Sequence, residues 1–402
     1  MKTILVYCWG SFSEPLVIRA MEEAGNKVVA FSGEMKDYHS DAEFAQKFMA
    51  SLHSEDPEMV FSYDYFPLLS MICEINSIPY AAWIYDCPQR LLLSKTIINS
   101  CNHIFCFDEV YTGKLQNLGA RHAYHFPLAA DVDMYERVKE KWTEDVYACD
   151  VSFVGGLYNG EKNRLLHTTL SEYAEGYVEG ILSAQKEICG YNLVADALSI
   201  GVAEEIVEKC EMTLSDVYTW DTIQMAADAV NMKLTALDRK ETLTALLMNF
   251  ESKRMECEKH PIVLTLYSYS RLPQGLDGNQ HLVCKGTVDY RTEMPLVFHN
   301  SKINLNITSR TIESGIPQRV FDVLACSGFC LTNYQSEIAA LFEDGKELVM
   351  YTDMEDLVTK VDYYLNHEEE RMQIAKAGYR KVCNCFALKD RIEKLINLAL
   401  CN

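Results

Sequence analysis

Between Ser309 and Asp322 the chain reads Ser-Arg-Thr-Ile-Glu-Ser-Gly-Ile-Pro-Gln-Arg-Val-Phe-Asp, residue types spaced to hold an anion at the start of a helix. Pro317 suits the first helical position, where its missing N–H costs nothing. The spacing predicts a helix over Pro317–Ser327 that ends at Gly328 as a C′ glycine. Ser314, Gly315, Ile316, Pro317 and Gln318 form its mouth, where Gly315 admits a close approach and the dipole favours a phosphate. Arg310 precedes the helix and Arg319 sits in its first turn, two guanidinium forks for one diphosphate. Asp322 shares the face of Arg319 and lies about 7–8 Å along the axis from Pro317. That is roughly the offset from a diphosphate to the hydroxyls of its ribose. The plainer reading of Arg319 and Asp322 is a surface i,i+3 ion pair, worth little.

Other candidates stand singly. Asp86, at a strand end before Cys87-Pro88, either caps the next helix or faces an acceptor as ligand or general base. Glu14 and His125 are weaker candidates. Tyr7, Trp9 and Tyr65 read as sheet core, with acceptor stacking the alternative. Tyr267 and Val288 end strands where a nucleobase would lie, though most contacts there would be made by backbone.

The elements that must position these groups fall into two α/β units. Strand-like runs at Ile4–Cys8, Val28–Phe31, Met59–Ser62, Tyr80–Ile84, His103–Phe107 and His122–Phe126 alternate with helix-length segments. This is the pattern of a parallel sheet covered on both faces, with functional groups at the carboxyl ends of strands. The expected domains are 1–130, a linker over 131–149, and a second α/β domain over 150–385. A helical insertion at 160–258 and strands at Ile262–Tyr267, His281–Cys284, Ile303–Asn306, Phe329–Thr332 and Glu347–Tyr351 belong to that second domain. A final helical segment, 386–402, is expected to pack back on the first.

Bulk properties exclude several functions. The 402 residues suit two domains. A formal charge of −21 opposes nonspecific nucleic-acid binding, whose affinity comes from phosphate neutralisation. The fifteen cysteines are scattered, with no C-x-x-C pair and no zinc spacing, so buried thiols of a cytoplasmic protein are expected. No signal peptide or transmembrane segment is legible. Neither a G-x-G-x-x-G spacing after the first strand nor a Walker lysine is present.

Ser301-Lys-Ile-Asn-Leu-Asn-Ile, Gly315-Ile-Pro-Gln-Arg-Val-Phe-Asp, Cys326-Ser-Gly-Phe-Cys-Leu-Thr-Asn and Ile374-Ala-Lys-Ala-Gly-Tyr-Arg resemble the C-terminal half of the CgeB-like, spore-maturation type glycosyltransferases. Trp83-Ile-Tyr-Asp-Cys-Pro and Phe126-Pro-Leu-Ala-Ala-Asp resemble the preceding half. The resemblance implies a GT-B fold, two Rossmann-like domains facing a cleft that holds a nucleotide-diphosphate sugar, with UDP-sugars among the candidates. Related retaining enzymes carry Glu-x7-Glu over the helix. Here Asp322 takes the second position and Ser314 the first, with Glu313 one residue early.

The expected activity is metal-independent glycosyl transfer to an acceptor hydroxyl without a cofactor. Asp86, Glu313 and Arg319 are the catalytic candidates. The acceptor class stays open among glycan, protein and small molecule, and the helical insertion is a possible docking element for a protein partner. A sugar-nucleotide epimerase, or a non-catalytic nucleotide-sugar-binding module, is the alternative.

Overall fold

The computed structural model describes residues 1–400 except 142–144, 189, 214–216, 220 and 255–260. Six short apolar runs of the N-terminal part are strands: Thr3–Cys8 (β1), Lys27–Ser32 (β2), Met59–Tyr63 (β3), Tyr80–Trp83 (β4), Asn102–Cys106 (β5) and Ala123–His125 (β6). They pair in parallel in the order β2-β1-β3-β4-β5-β6. Both faces of such a sheet must be covered, and β3, β4 and β5 are buried at every residue. The helix Ala42–Glu55 covers one face with Phe44, Phe48 and Leu52, spaced i, i+4, i+8. It is capped by Asp41, whose carboxylate accepts the Phe44 N–H at 3.0 Å. Phe44 meets the rings of Tyr7 and Phe31 edge-on at 5.3 and 5.6 Å.

The second sheet is built from Cys149–Val154 (β7), Leu264–Tyr267 (β8), Leu282–Gly286 (β9), Ser301–Asn306 (β10), Cys330–Asn333 (β11) and Val349–Tyr351 (β12). It is also fully parallel, in the order β12-β11-β10-β7-β8-β9. Each sheet therefore has one point where the winding reverses, between β1 and β3 in the first and between β7 and β10 in the second. Ligands of doubly wound sheets bind outside the carboxyl ends of strands at such points.

The helical segment after β7 differs from the expectation. Helices Glu172–Lys186 and Ile200–Lys209 pack with the front half of Thr222–Arg254 around a separate core of Val178, Ile181, Val202, Ile206, Val230 and Leu234. The rear half of that helix, through Leu243, Leu246, Leu247 and Phe250, instead joins the core of the second sheet. These residues repeat at i, i+3, i+4, i+7, so one 33-residue helix serves both cores and is itself the crossover from β7 to β8. The insertion proper thus stops short of 258, a residue that lies outside the described set.

The chain divides into two compact units: 1–131 with 214–220 and 386–402, and 132–213 with 221–385. Of the linker expected over 131–149, all but Asp131 groups with the second unit. Within the first, Ala130 bridges Ala387 and the helix Leu388–Leu400 packs on the helix Glu14–Glu23. Among the described residues no helix is long and apolar enough to cross a membrane.

Candidate functional site

The helix predicted over Pro317–Ser327 runs from Gln318 to Ala325, with Pro317 outside it as the N-cap. Pro317 has φ −67° and ψ 149°, so the ring holds φ while the chain is still extended, and Gln318 becomes the first helical residue. Gly328 is not a left-handed cap either. Ser327 takes that conformation at φ 53°, and Gly328 is needed because a Cβ there would fall 2.5 Å from the Phe298 carbonyl oxygen. The helix has no side-chain cap and no acid in its first turn. Its mouth, the loop after β10, lies at the reversal point of the second sheet.

Arg239, which the sequence reading missed, ties this loop to the one after β7. Its Nη2 donates to the Ile307 carbonyl at 2.8 Å and its Nη1 to the Gly156 carbonyl. The guanidinium lies over the Tyr158 and Phe153 rings at 4.6 and 5.5 Å. It is buried, no carboxylate among the described residues pairs with it, and its Nε has no partner. Burial pushes its pKa down, and the neighbouring Arg319 cation adds to that. A buried cation without a counter-charge is costly to maintain. No local motif marks Arg239 in the sequence, because its partners lie 83 and 68 residues away.

Arg319 and Asp322 form the i,i+3 pair at 3.3 Å, but not as a surface pair. Asp322 is buried, and its Oδ1 accepts from the Tyr290 hydroxyl at 3.0 Å and the Gln318 amide at 2.8 Å. Arg319 lies over the Phe298 ring and against the Met294 sulfur. Tyr290 is a second group that the sequence did not signal.

The other candidates are dispersed around this point. Arg310 pairs with the buried Asp238 of the long helix, and with Glu313 it lines a cavity of about 340 Å³ beside the loops after β10, β11 and β12. Ser314 is buried and donates to Glu337 Oε1 at 2.7 Å. Gly315 and Ile316 are buried beneath the mouth. Tyr267 closes β8 with a buried, unpartnered hydroxyl whose pKa burial drives upward. Val288 lies in the loop two residues beyond the end of β9.

In the first unit, the reversal point between β1 and β3 is filled from within. Glu14 Oε1 accepts the N–H groups of Trp9, Gly10 and Ser11 at 2.8, 3.1 and 3.0 Å, and Gly10 turns at φ 104° to aim its own. The Trp9 indole N–H donates to the Tyr63 carbonyl at 2.9 Å, bridging the ends of β1 and β3. Asp86 follows β4 and is no helix cap. It is solvent-exposed yet ringed by chain, and desolvation pushes its carboxyl up. Behind it, the buried Asp64 accepts the Tyr85 and Asp86 N–H groups at 2.9 and 3.1 Å. Burial, then the charge of Asp86, raise the Asp64 carboxyl to about 7.

Comparison with known proteins adds a family to this geometry. Residues 265–397 match the family model described as "Glycosyl transferase-like". The matched segment, most of it in the second unit, is thus similar to a glycosyltransferase domain over about a third of the chain. The spore protein CgeB of Bacillus subtilis (strain 168) is 32% identical over 95 residues, which span 23% of this chain and 28% of that protein. The Anabaena Alr3699/HepE structure in complex with UDP-glucose superposes with a TM-score of 0.55 at 9% identity, over 99% of each chain. Sucrose-phosphate synthase from Thermosynechococcus elongatus superposes with a TM-score of 0.53 at 10% identity, over 99% of this chain and 98% of that one. The fold is GT-B. Tyr267, Tyr290, Arg310, Arg319 and Asp322 fall inside the matched segment, whereas Arg239, Glu14, Asp64 and Asp86 lie outside it. A transferase model does not favour the epimerase alternative.

Proposed function

We propose that this chain is a CgeB-like glycosyltransferase that takes a sugar from a nucleotide-diphosphate donor, a UDP-sugar, to an acceptor hydroxyl. The observation that carries the reading is a cation at the second reversal point: Arg239, buried beneath a helix mouth with no acid in its first turn and paired with no carboxylate among the described residues. Such a point receives a diphosphate. As the bond from the anomeric carbon to the diphosphate oxygen breaks, negative charge grows on the leaving group. The helix mouth and Arg319 stabilise that charge more in the transition state than in the bound donor.

The remaining roles follow from chemistry. Asp322 receives the ribose hydroxyls, for which the Tyr290 hydroxyl or the Gln318 amide must release one carboxylate oxygen. Glu313, next to the Ser314–Glu337 pair, is the sugar-side carboxylate. On the first unit, Asp86 takes the proton of the acceptor hydroxyl, its raised carboxyl being a better base than an ordinary aspartate. Glycan, protein and small-molecule acceptors all present the required hydroxyl.

Calorimetric titration with UDP, GDP, ADP and their glucose conjugates tests the donor half of this reading. Saturable binding of a uridine nucleotide is expected. Binding of none of them would overturn the assignment.

A further inference from the structure

The reversal point of the first sheet has spent its backbone donors on Glu14, so an anion finds none there. What the surrounding loops expose is aromatic carbon. Of the three aromatic residues expected in the sheet core, Tyr7 and Tyr65 are buried, but Trp9 is 41% exposed. Its indole N–H donates to the Tyr63 carbonyl, so the side-chain surface it leaves in solvent is carbon. Phe12, in the same loop, is also 41% exposed, and Tyr38, in the loop after β2, is 46% exposed.

These side chains are held in place. The carboxylate of Glu14 fixes the backbone on which Trp9 stands. Phe66 packs against both Trp9 and Tyr38, with ring centroids 6.3 and 5.8 Å away. Phe12 meets Tyr85 at 5.2 Å, and Tyr85 meets Tyr63 at 5.8 Å. The buried Asp64 carboxylate accepts the N–H groups of Tyr85 and Asp86, so one residue positions both the ring partner of Phe12 and the exposed acid. The carboxyl ends of β1, β2, β3 and β4 thus carry three exposed aromatic side chains close to one exposed carboxylate. Groups fixed before binding lose little entropy when a ligand arrives.

The ligand suited to this surface is uncharged and has apolar C–H surface beside a hydroxyl. A pyranose has both on one ring. A serine or threonine of a protein acceptor presents its hydroxyl with almost no apolar surface next to it. Tyr38, sharing Phe66 with Trp9, extends the aromatic surface beyond one sugar unit. We infer that the acceptor is the end of a glycan chain, seated on Trp9 and Phe12 with a hydroxyl toward Asp86. The inference rests on the acceptor role proposed above for Asp86. The step is the same: the hydroxyl oxygen bonds the anomeric carbon as the diphosphate leaves, and the hydroxyl proton passes to Asp86.

Saturation-transfer NMR on the full chain tests this with maltotriose, cellotriose and tri-N-acetylchitotriose, beside the tripeptide Gly-Ser-Gly and phenol. At least one trisaccharide should bind, and more tightly than the peptide or phenol. Phe12→Ala and Trp9→Ala should each weaken that trisaccharide about tenfold, the scale of one aromatic contact. Near-UV circular dichroism reports that each variant is folded, and the surface change at Phe12 keeps the test open if Trp9→Ala is not. No trisaccharide signal, equal or tighter binding of the peptide or phenol, or unchanged affinity in either folded variant would each overturn the inference. UDP binding without trisaccharide binding would sink this inference alone. Trisaccharide binding without UDP binding would remove the function proposed above and leave the saccharide site standing.

Discussion

In the first unit, the carboxylate of Glu14 sits in the crook of the loop after β1 and takes three of its N–H groups. In the second, the corresponding loops after β7 and β10 are tied by the guanidinium of Arg239, and no acid stands in the first turn of the following helix. Both are reversal points of parallel sheets, where backbone N–H groups converge whatever the side chains do. One carries its own anion and is closed to another. The other is cationic on balance, with Asp322 set against Arg319 and no carboxylate among the described residues set against Arg239. A doubly wound sheet therefore supplies a possible anion site, and one or two long-range side chains determine whether it is used.

The strongest way to break this comparison is to remove Arg319. Arg319→Ala should lower turnover about 10²- to 10³-fold, the range for losing one preorganised transition-state donor. The check is product formation from a UDP-sugar by mass spectrometry. Activity within a few-fold of wild type would leave the second reversal point without a catalytic role. Next in size, Arg239→Met should weaken UDP about 10- to 100-fold, the scale of one charge-assisted interaction. Arg239→Lys should recover part of that loss, since it restores charge without the two-carbonyl bridge. Equal UDP affinity for all three forms would reduce Arg239 to a packing residue.

Glu14 supplies the opposite arm. Glu14→Ala leaves three N–H groups without their acceptor and should cost about 2–3 kcal/mol in urea unfolding, the usual range for bonds to a charged group. UDP affinity should stay unchanged. Gain of a UDP site in the first unit, or loss of the existing one, would contradict the contrast between the two points.

How much of this was legible in the sequence depends on the range of the interaction. The strands were readable to within one or two residues at most ends, because runs such as Ile4–Val6 must be buried on both faces. The mouth at 314–318 was readable because Gly, Pro and Arg act through adjacent backbone. The position of Pro317 slipped by one residue because the ring fixes φ and leaves ψ free. Gly328 was misread because steric closeness to Phe298, not a positive φ, requires it. Arg239, Tyr290, Glu337 and the inward role of Glu14 were hidden, since their meaning lies in where other strands deliver partners.

Within the first unit, Asp64 predicts a pH effect on stability. Its carboxyl is raised to about 7 from an unfolded value of 3.8, so between those values the folded chain keeps a proton that the unfolded chain has lost. The contribution of Asp64 to stability is then greatest below about pH 4 and declines by up to about 1.4 kcal/mol per pH unit until the carboxyl ionises near 7. Asp86, also raised, adds to the same trend. Asp64→Asn retains an oxygen for the Tyr85 and Asp86 N–H groups and tolerates the left-handed φ of 59°. Its urea midpoints at pH 5 and pH 8 should therefore lie closer together than those of wild type. The same spacing in both proteins would show that Asp64 titrates as an ordinary aspartate.

The smallest effect concerns Asp322, where two roles compete for one carboxylate. The Tyr290 hydroxyl and the Gln318 amide both bond Oδ1, and Arg319 holds Oδ2. If ribose binds Asp322 by displacing Tyr290, then Tyr290→Phe frees an acceptor in advance, and UDP should bind a few-fold more tightly, about 0.5–1 kcal/mol. If Tyr290 instead orients the carboxylate for ribose, the same change should weaken UDP by a similar factor. A 2′-deoxy analogue separates the cases from an unrelated packing effect. The change in affinity on Tyr290→Phe should vanish for the analogue when the hydroxyl it lacks is the one Asp322 receives. An equal change for both nucleotides would move the ribose off Asp322 and leave that residue as the internal partner of Arg319.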